Sequence, residues 1–219
     1  MKKNRTLKII LAFVLVLILD KSFAANKNRD FYLWNTVGAQ IQLNQIYGLK
    51  VSSKTHYRVN DQYRDMTYFD LAVARKMNHW LKLGVAFRGA QLPKESGDIM
   101  EYRPQVFSNI GLNCKNIKFQ TTNRMEHRSF SKGVSHYRYY HNIFVHFSSC
   151  TKWIKPYLGE ELFTKLNSDG IHLGRIYGGI HLLEHEHFHI DLYYVWQQLK
   201  VDNKWQGADV FGVNMNLQI

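Results

Sequence analysis

Two short histidine-containing segments are the parts of this sequence whose residue types could do chemistry. His146 and Ser148 stand two positions apart, which places both side chains on one face of a strand, where an imidazole base could activate a hydroxyl. His185, His187 and His189 have the same spacing and could meet one zinc or copper ion if a strand continued through them. A turn in that segment would separate the imidazoles, so both hypotheses depend on the arrangement of strands.

Alternation of apolar and polar residues runs through the chain and predicts strands, since successive side chains of a strand point to opposite faces. Between positions 49 and 60, one face carries Leu, Val, Ser, Thr, Tyr and Val, and the other carries Lys, Ser, Lys, His, Arg and Asn. Eleven such segments predict strands at 31–43, 48–59, 66–77, 80–91, 101–113, 117–128, 136–147, 154–164, 171–183, 188–199 and 209–219.

The polar faces of these strands carry long charged side chains. A soluble β-sandwich or lipocalin-like barrel, the alternative class, fills its core with small or apolar residues, and its strands are usually about five or six residues long. The chain also has 13 Tyr, 13 Phe and 5 Trp, many near predicted strand ends, as in the aromatic girdles of membrane barrels. The pattern therefore predicts an all-β fold: an antiparallel transmembrane β-barrel of about 10–12 strands in an up-and-down meander.

Connections between the predicted strands alternate in length. Short ones at 78–79, 115–116 and 184–187 predict periplasmic turns, and longer ones at 60–65, 92–97, 129–133, 166–170 and 201–207 predict outer loops. Since bacterial single-chain barrels have an even number of strands, we expect both ends of the barrel on the periplasmic side and one of the eleven segments to be in error. Cys114 and Cys150 then lie at one rim, where an oxidising compartment permits a disulfide; two separate thiols are the alternative.

The first residues of the chain predict a cleaved secretory signal peptide at 1–24. Basic residues precede the apolar run from Ile9 to Leu19, and Ser22-Phe23-Ala24 supplies small residues for a Sec-type signal peptidase site. The apolar run is too short for a membrane helix, which takes roughly 20 residues. Residues 25–219 are then a single domain, which we expect in the bacterial outer membrane.

Loss of the signal peptide lowers the formal net charge from +12 to about +8. This remaining charge is assigned to the lumen of the predicted barrel or to anionic lipid headgroups, because an exported protein rarely meets nucleic acid. Such a lumen is either a closed plug of ion pairs and water or a narrow pore that favours anions. The charged residues predicted to face the lumen are Lys50, Lys54, Arg58, Asp70, Lys82, Arg88, Arg103, Arg124, Glu126, Arg138, Arg175 and Asp191.

Five segments resemble an uncharacterised outer-membrane β-barrel family, domain of unknown function 2490. They are DFYLWNTVGAQIQL near the start, THYRVND, FDLAVARKMNHWLKLGVAFR, KPYLGEELF and HIDLYYVWQQ. The resemblance covers nearly all of the chain after the signal peptide and implies the barrel fold and its location. It carries over no catalytic residues.

The segment His146-Phe147-Ser148 resembles the His-x-Ser arrangement of outer-membrane lipid hydrolases. The Asn-Gly that follows the serine in outer-membrane phospholipase A is absent, and Ser149-Cys150 stands there. Both side chains are also predicted on the lumen face, whereas a lipid substrate reaches the outer face. The chain contains no glycine-rich phosphate loop, CxxC pair or GxSxG elbow either.

These patterns together predict a non-enzymatic structural or narrow pore-forming envelope protein. There are two alternatives: a lipid-modifying hydrolase, and an adhesin or receptor with specificity in its outer loops. We expect no cofactor and no nucleic acid, and we expect as partners outer-membrane lipid, lipopolysaccharide and, during insertion, the barrel-assembly machinery. The oligomeric state stays open.

Overall fold

Eleven strands close into one barrel in this protein. The computed structural model describes residues 29–148, 155–166, 170–185 and 187–219. The signal peptide at 1–24 lies outside these residues and stays a prediction. Nowhere in the described part does a helix reach the length and hydrophobicity of a membrane span. The strands are β1 (Asp30–Gln42), β2 (Tyr47–Arg58), β3 (Tyr63–Lys76), β4 (Leu81–Leu92), β5 (Ile99–Cys114), β6 (Ile117–Phe130), β7 (His136–Phe147), β8 (Lys155–Lys165), β9 (Gly170–His185), β10 (Phe188–Val201) and β11 (Lys204–Gln218).

The barrel closes through a parallel pair of strands. Each strand pairs antiparallel with its neighbours in the sequence, but β1 pairs parallel with β11, from Asp30 opposite Ala208 to Gln40 opposite Gln218. The expectation of an even strand number and a wholly antiparallel sheet is therefore wrong. An odd number of alternating strands makes the first and last run in the same direction, so they can join only in parallel. The start of β1 and the end of β11 also lie at opposite rims of the barrel, whereas we expected them at the same rim. We call the rim at the start of β1 the N-terminal rim and the rim at the end of β11 the C-terminal rim.

The connections at the two rims do not differ in length as predicted. Those at the N-terminal rim (59–62, 93–98, 131–135, 166–169 and 202–203) have at most six residues, and the longest of all, 148–154, is at the C-terminal rim. The long loop predicted at 201–207 is a two-residue turn. Asp202 and Asn203 have φ of 48° and 62°, as a type I′ hairpin requires, and Asp and Asn tolerate this conformation. Pairing of Val201 with Lys204 therefore continues to the turn.

The strands present a mainly apolar face outside the barrel, with exceptions such as Glu160 on β8, and a mainly polar face inside it. On β4, Val85 and Phe87 are 59% and 47% exposed. The side chain of Arg88, on the other face of the same strand, is only 13% exposed. On β5, Val106 is 57% exposed and Arg103 is 3% exposed. This is the reverse of a water-soluble barrel, in which the apolar side chains fill the inside.

Glycines facing the interior make room for aromatic rings on the neighbouring strand. Gly159 lies opposite Phe144, and a Cβ atom at Gly159 would overlap that ring. The same arrangement recurs where Gly84 faces Phe107, Gly179 faces Tyr157 and Gly212 faces Tyr193. The rings therefore lie flat over bare backbone, which lets large side chains fit into a narrow barrel.

A mainly aromatic cluster lies inside the barrel between two polar regions. It packs against Tyr32 and Phe144 and comes from β1 and from β8 to β11. On its C-terminal side lies a polar group that includes His146, His181 and Asp191, and on its N-terminal side lies a charged cavity. The members of the cluster are Trp34, Tyr157, Tyr177, Tyr193, Val195 and Val210, all at most 7% exposed.

Replacing Gly159 by Ala tests this packing. We expect Gly159→Ala to lower the free energy of unfolding by about 1–3 kcal/mol, because the Phe144 ring has to leave its position to admit a methyl group. Gly111→Ala is the matched control, since Gly111 is also in a strand but no atom lies within 4 Å of the added Cβ. Denaturant unfolding followed by circular dichroism measures both variants. Equal stability of the two would contradict the packing argument.

Candidate functional site

A cavity of about 860 Å³ occupies the N-terminal half of the barrel interior. Every strand except β11 contributes to its wall, and it reaches the rim at Arg58, Lys165 and the β10–β11 turn at Asp202. Trp34 and Tyr177 of the aromatic cluster lie at its inner end. Ten basic side chains line it, against the acidic side chains of Asp65, Glu161 and Asp202. The basic ones are Lys54, Arg58, Arg88, Arg103, Arg124, Arg128, Arg138, Lys165, Arg175 and Lys200.

Two buried glutamates hold four of these arginines on strands β5, β6 and β7. Glu101, with a fully buried side chain, accepts two hydrogen bonds from Arg103 at 2.7 and 2.8 Å and two from Arg128 at 2.5 and 2.9 Å. Glu126, equally buried, accepts one from Arg138 at 2.6 Å. Such paired contacts are the strong form of hydrogen bond, because both partners are charged.

The fourth arginine, Arg124, is held less tightly. Its Nε lies 3.9 Å from a Glu126 oxygen, which is an ion pair without a hydrogen bond, and its guanidinium lies 4.1 Å from the centre of the Tyr140 ring. The Arg103 guanidinium also lies 3.7 Å from Glu126. Two carboxylates therefore neutralise only half of the positive charge in this part of the wall.

On the neighbouring strands β7 to β10, Glu161 is the centre of a second network. It accepts hydrogen bonds from the hydroxyls of Tyr140 and Tyr177 at 2.7 and 2.8 Å and from Arg175 at 3.2 Å. Arg175 also donates to Gln197 at 2.8 Å. Both carboxylate oxygens of Glu161 therefore accept hydrogen bonds, as a buried charge requires.

Two further cations, Lys54 and Arg88, complete the wall. The Lys54 ammonium lies 4.0 Å from the centre of the Trp34 ring, and no ion pair among the described residues includes it. Arg88 donates to both oxygens of Asp70 at 2.5 and 2.6 Å and stacks on Tyr68. Arg88 stands directly opposite Arg103 in the sheet, and like charges in such pairs destabilise it.

The strand-borne charges of the cavity do not balance. Seven cations inside the rim face four carboxylates, which leaves a surplus of three positive charges. The cations are Lys54, Arg88, Arg103, Arg124, Arg128, Arg138 and Arg175, and the carboxylates are Asp70, Glu101, Glu126 and Glu161.

The residues predicted to face the lumen lie in two separate regions. Lys50, Lys82 and Asp191 lie on inward positions of the C-terminal half, away from the cavity. Asp70 and Glu126 lie behind the cavity wall as partners of arginines. The remainder, Lys54, Arg58, Arg88, Arg103, Arg124, Arg138 and Arg175, line the cavity.

Sequence reasoning missed Arg128 and the role of the aromatic residues. Arg128 stands two positions after Glu126 on the inward face of β6, and the same alternation could have found it. Trp34, Tyr140 and Tyr177 were not recognised as wall residues, because aromatic residues of a predicted membrane barrel are expected at its outer girdles.

The structure does not bring His146 and Ser148 together. The Ser148 hydroxyl donates to the carbonyl of Asn116 at 2.9 Å, outside the interior. His181 lies 2.6 Å from Asp191, which can only accept, so His181 Nδ1 is the donor; its Nε2 then accepts from His146 Nδ1 at 2.9 Å. His146 is therefore the end of an Asp–His–His chain that the sequence did not predict.

The predicted metal ligands lie on both sides of a turn. His185 ends β9 and His189 is the second residue of β10, while His187, in the turn, contacts the carbonyl of Gln218 at 3.2 Å. The side chain of His185 lies outside the described part. Among the side chains that are described, no group of three His, Cys, Asp or Glu residues could hold a metal ion.

Cys114 ends β5 at the C-terminal rim as an exposed free thiol. Cys150 lies outside the described residues, so the disulfide stays a prediction.

A closed barrel with apolar side chains outside and ion-paired, mainly basic side chains inside defines the class of this protein. Residues 31–208 match the family described as protein of unknown function (DUF2490), and the chain belongs to that family. The resemblance found in the sequence is thus confirmed. No curated protein matches the chain significantly.

Removal of one buried carboxylate tests the electrostatics of the wall. We expect Glu126→Gln to lower the free energy of unfolding by about 3–5 kcal/mol, because it leaves buried arginines without their counter-charge. Glu160→Gln is the control: Glu160 is an exposed carboxylate on the outer face of β8, and its loss should not destabilise the barrel. Urea unfolding measures the free energy of unfolding of both variants. A decrease of less than about 1 kcal/mol for Glu126→Gln would contradict the stabilising role of the network.

Proposed function

We propose that this protein is a transmembrane β-barrel of the bacterial outer membrane with a structural role and a closed lumen. The observation that carries the proposal is the inverted polarity of the barrel. Side chains such as Val85 and Val106 are more than half exposed at mid-strand, while Glu101 and Arg103 on β5 are buried inside and the Arg88 side chain on β4 is only 13% exposed. Hydrocarbon is the surrounding that stabilises this arrangement.

Strand length and composition support the membrane assignment. The strands have 11 to 16 residues, and a tilted membrane strand needs about 9–11. The signal peptide predicted at 1–24 would deliver the chain to the envelope. Outer-membrane lipid, lipopolysaccharide and the assembly machinery are the partners this proposal implies.

A closed lumen is favoured because the cavity ends inside the barrel. Its wall residues all come from the N-terminal half, and Trp34 and Tyr177 lie where a pore would have to continue. A narrow anion-selective pore is the second candidate, and the basic wall supports it, since rings of Arg and Lys favour negative solutes.

A lipid hydrolase and an adhesin have less support from the site and the loops. The hydrolase would need His146 to reach a nucleophile at the outer face, but His146 contacts His181 inside the barrel. An adhesin would need extended loops, and the connections at either rim are no longer than seven residues.

A charge placed on the outer face separates a membrane barrel from a soluble one. We expect Val85→Arg to reduce the stability of the barrel in lipid bilayers by about 2–4 kcal/mol, because the new charge meets hydrocarbon. Val134→Arg is the matched control: Val134 is 86% exposed, in the connection between β6 and β7, so the same change should cost at most about 1 kcal/mol. Unfolding in phospholipid vesicles measures both. Two neutral substitutions would argue for a water-soluble barrel.

Single-channel recording in planar bilayers tests the closed lumen. We expect the unmodified protein to be silent and the double variant Tyr177→Ala with Tyr193→Ala to give discrete current steps, because these rings fill the middle of the barrel. The steps of the variant show that the protein has inserted. Discrete current steps from the unmodified protein would contradict the closed lumen and support the narrow pore.

A further inference from the structure

The surplus of positive charge in the cavity calls for an anion. Seven cations face four carboxylates inside the barrel, and buried charges are stable only when paired or hydrated. The surplus lies on opposite walls, near Arg124 on β6 and near Lys54 on β2. An anion of two or more charges in this space would complete both walls.

Arg124 differs from the other described arginines of the cavity wall in donating no hydrogen bond. A guanidinium has five N–H donors, and the hydrogen bonds formed among the described residues include none from Arg124. The Tyr140 ring, 4.1 Å away, holds the guanidinium by its face. The donors of a guanidinium lie around its edge, so this contact leaves them available to a ligand.

Lys54 is the corresponding cation on the other wall. Aromatic faces surround its ammonium group, with Trp34 at 4.0 Å and Tyr193 at 5.9 Å, and no carboxylate of the described chain lies within 4 Å. Cation–π contacts hold the group in place without neutralising it. The two cations thus come from different strands and carry different donor geometries.

We propose that the cavity binds a soluble phosphate compound of several negative charges, with Arg124 and Lys54 as direct ligands. A phosphoryl group concentrates up to two charges and three acceptor oxygens at one centre, which suits donors that arrive from several directions better than a planar carboxylate does. The cavity lies inside the barrel and reaches the N-terminal rim, so the ligand enters as a solute and not as a lipid of the surrounding bilayer. The inference goes beyond the structural role proposed above and does not require a membrane.

Calorimetric titration of the purified barrel with pyrophosphate tests this site, in a zwitterionic detergent at about 0.15 M salt, where charges beyond about 8 Å are screened. We expect Arg124→Gln and Lys54→Gln each to weaken pyrophosphate binding roughly tenfold or more. Lys118→Gln is the matched control, because Lys118 stands on the same strand and face as Arg124 but at the C-terminal rim, outside the cavity wall. It should change the affinity less than about twofold.

Heat-modifiable gel migration of every variant shows that the barrel is folded before titration. Three results would overturn the site: no heat of binding from the folded, unmodified protein at millimolar pyrophosphate, equal losses from Arg124→Gln and Lys118→Gln, or tighter binding of the tricarboxylate citrate than of pyrophosphate. None of these results would bear on the membrane assignment, which depends on the outer face at Val85.

Discussion

Ion pairing inside a closed sheet is the interaction on which the rest of this structure depends. A closed sheet has two faces and no edges, and the alternation of each strand assigns every second residue to the inside. Glu101 and Glu126, both fully buried, each hold at least one arginine by hydrogen bonds under 3 Å. Without these carboxylates, strands β5 to β7 would bring four cations together with no counter-charge. The inverted polarity of the barrel is thus stable only because its charges are arranged as networks.

Packing of rings on glycines is the second means by which the interior is filled. The charged half near the N-terminal rim leaves a cavity, whereas the middle of the barrel is filled by rings that lie over Gly159, Gly179 and Gly212. The two kinds of filling have different consequences. Networks of charge can admit water and a counter-ion, whereas packed rings leave little room for either, and the cavity accordingly lies on the charged side of the cluster.

Strand positions and faces were predictable from the sequence because alternation is a local signal. All eleven predicted segments correspond to strands, and the ends of β7 are the same in prediction and structure. The parity of the strand number was not predictable, since closure is a property of the whole sheet. The length of the last turn was missed because Asp202 and Asn203 lie in a polar segment that resembles a loop, although both residues suit a tight hairpin.

The candidate site was predictable only in part. Alternation identifies which side of the sheet a charge faces, but not which charges meet across it. Arg103 and Arg124 both line the cavity, and their shared contact with Glu126 depends on the register between β5, β6 and β7. The contact between His181 and Asp191 depends on a register shift between β9 and β10 at Asp191, which no local pattern encodes.

The parallel junction between β1 and β11 sets the order in which the chain can assemble. Every other strand pair is a hairpin that forms between neighbours, but this junction joins Asp30 to Ala208 across almost the entire chain. Pairing over such a separation carries a large loop-closure entropy and forms slowly. We therefore expect the hairpins to form first, as an open, curved sheet with two unpaired edges, and the β1–β11 junction to close last.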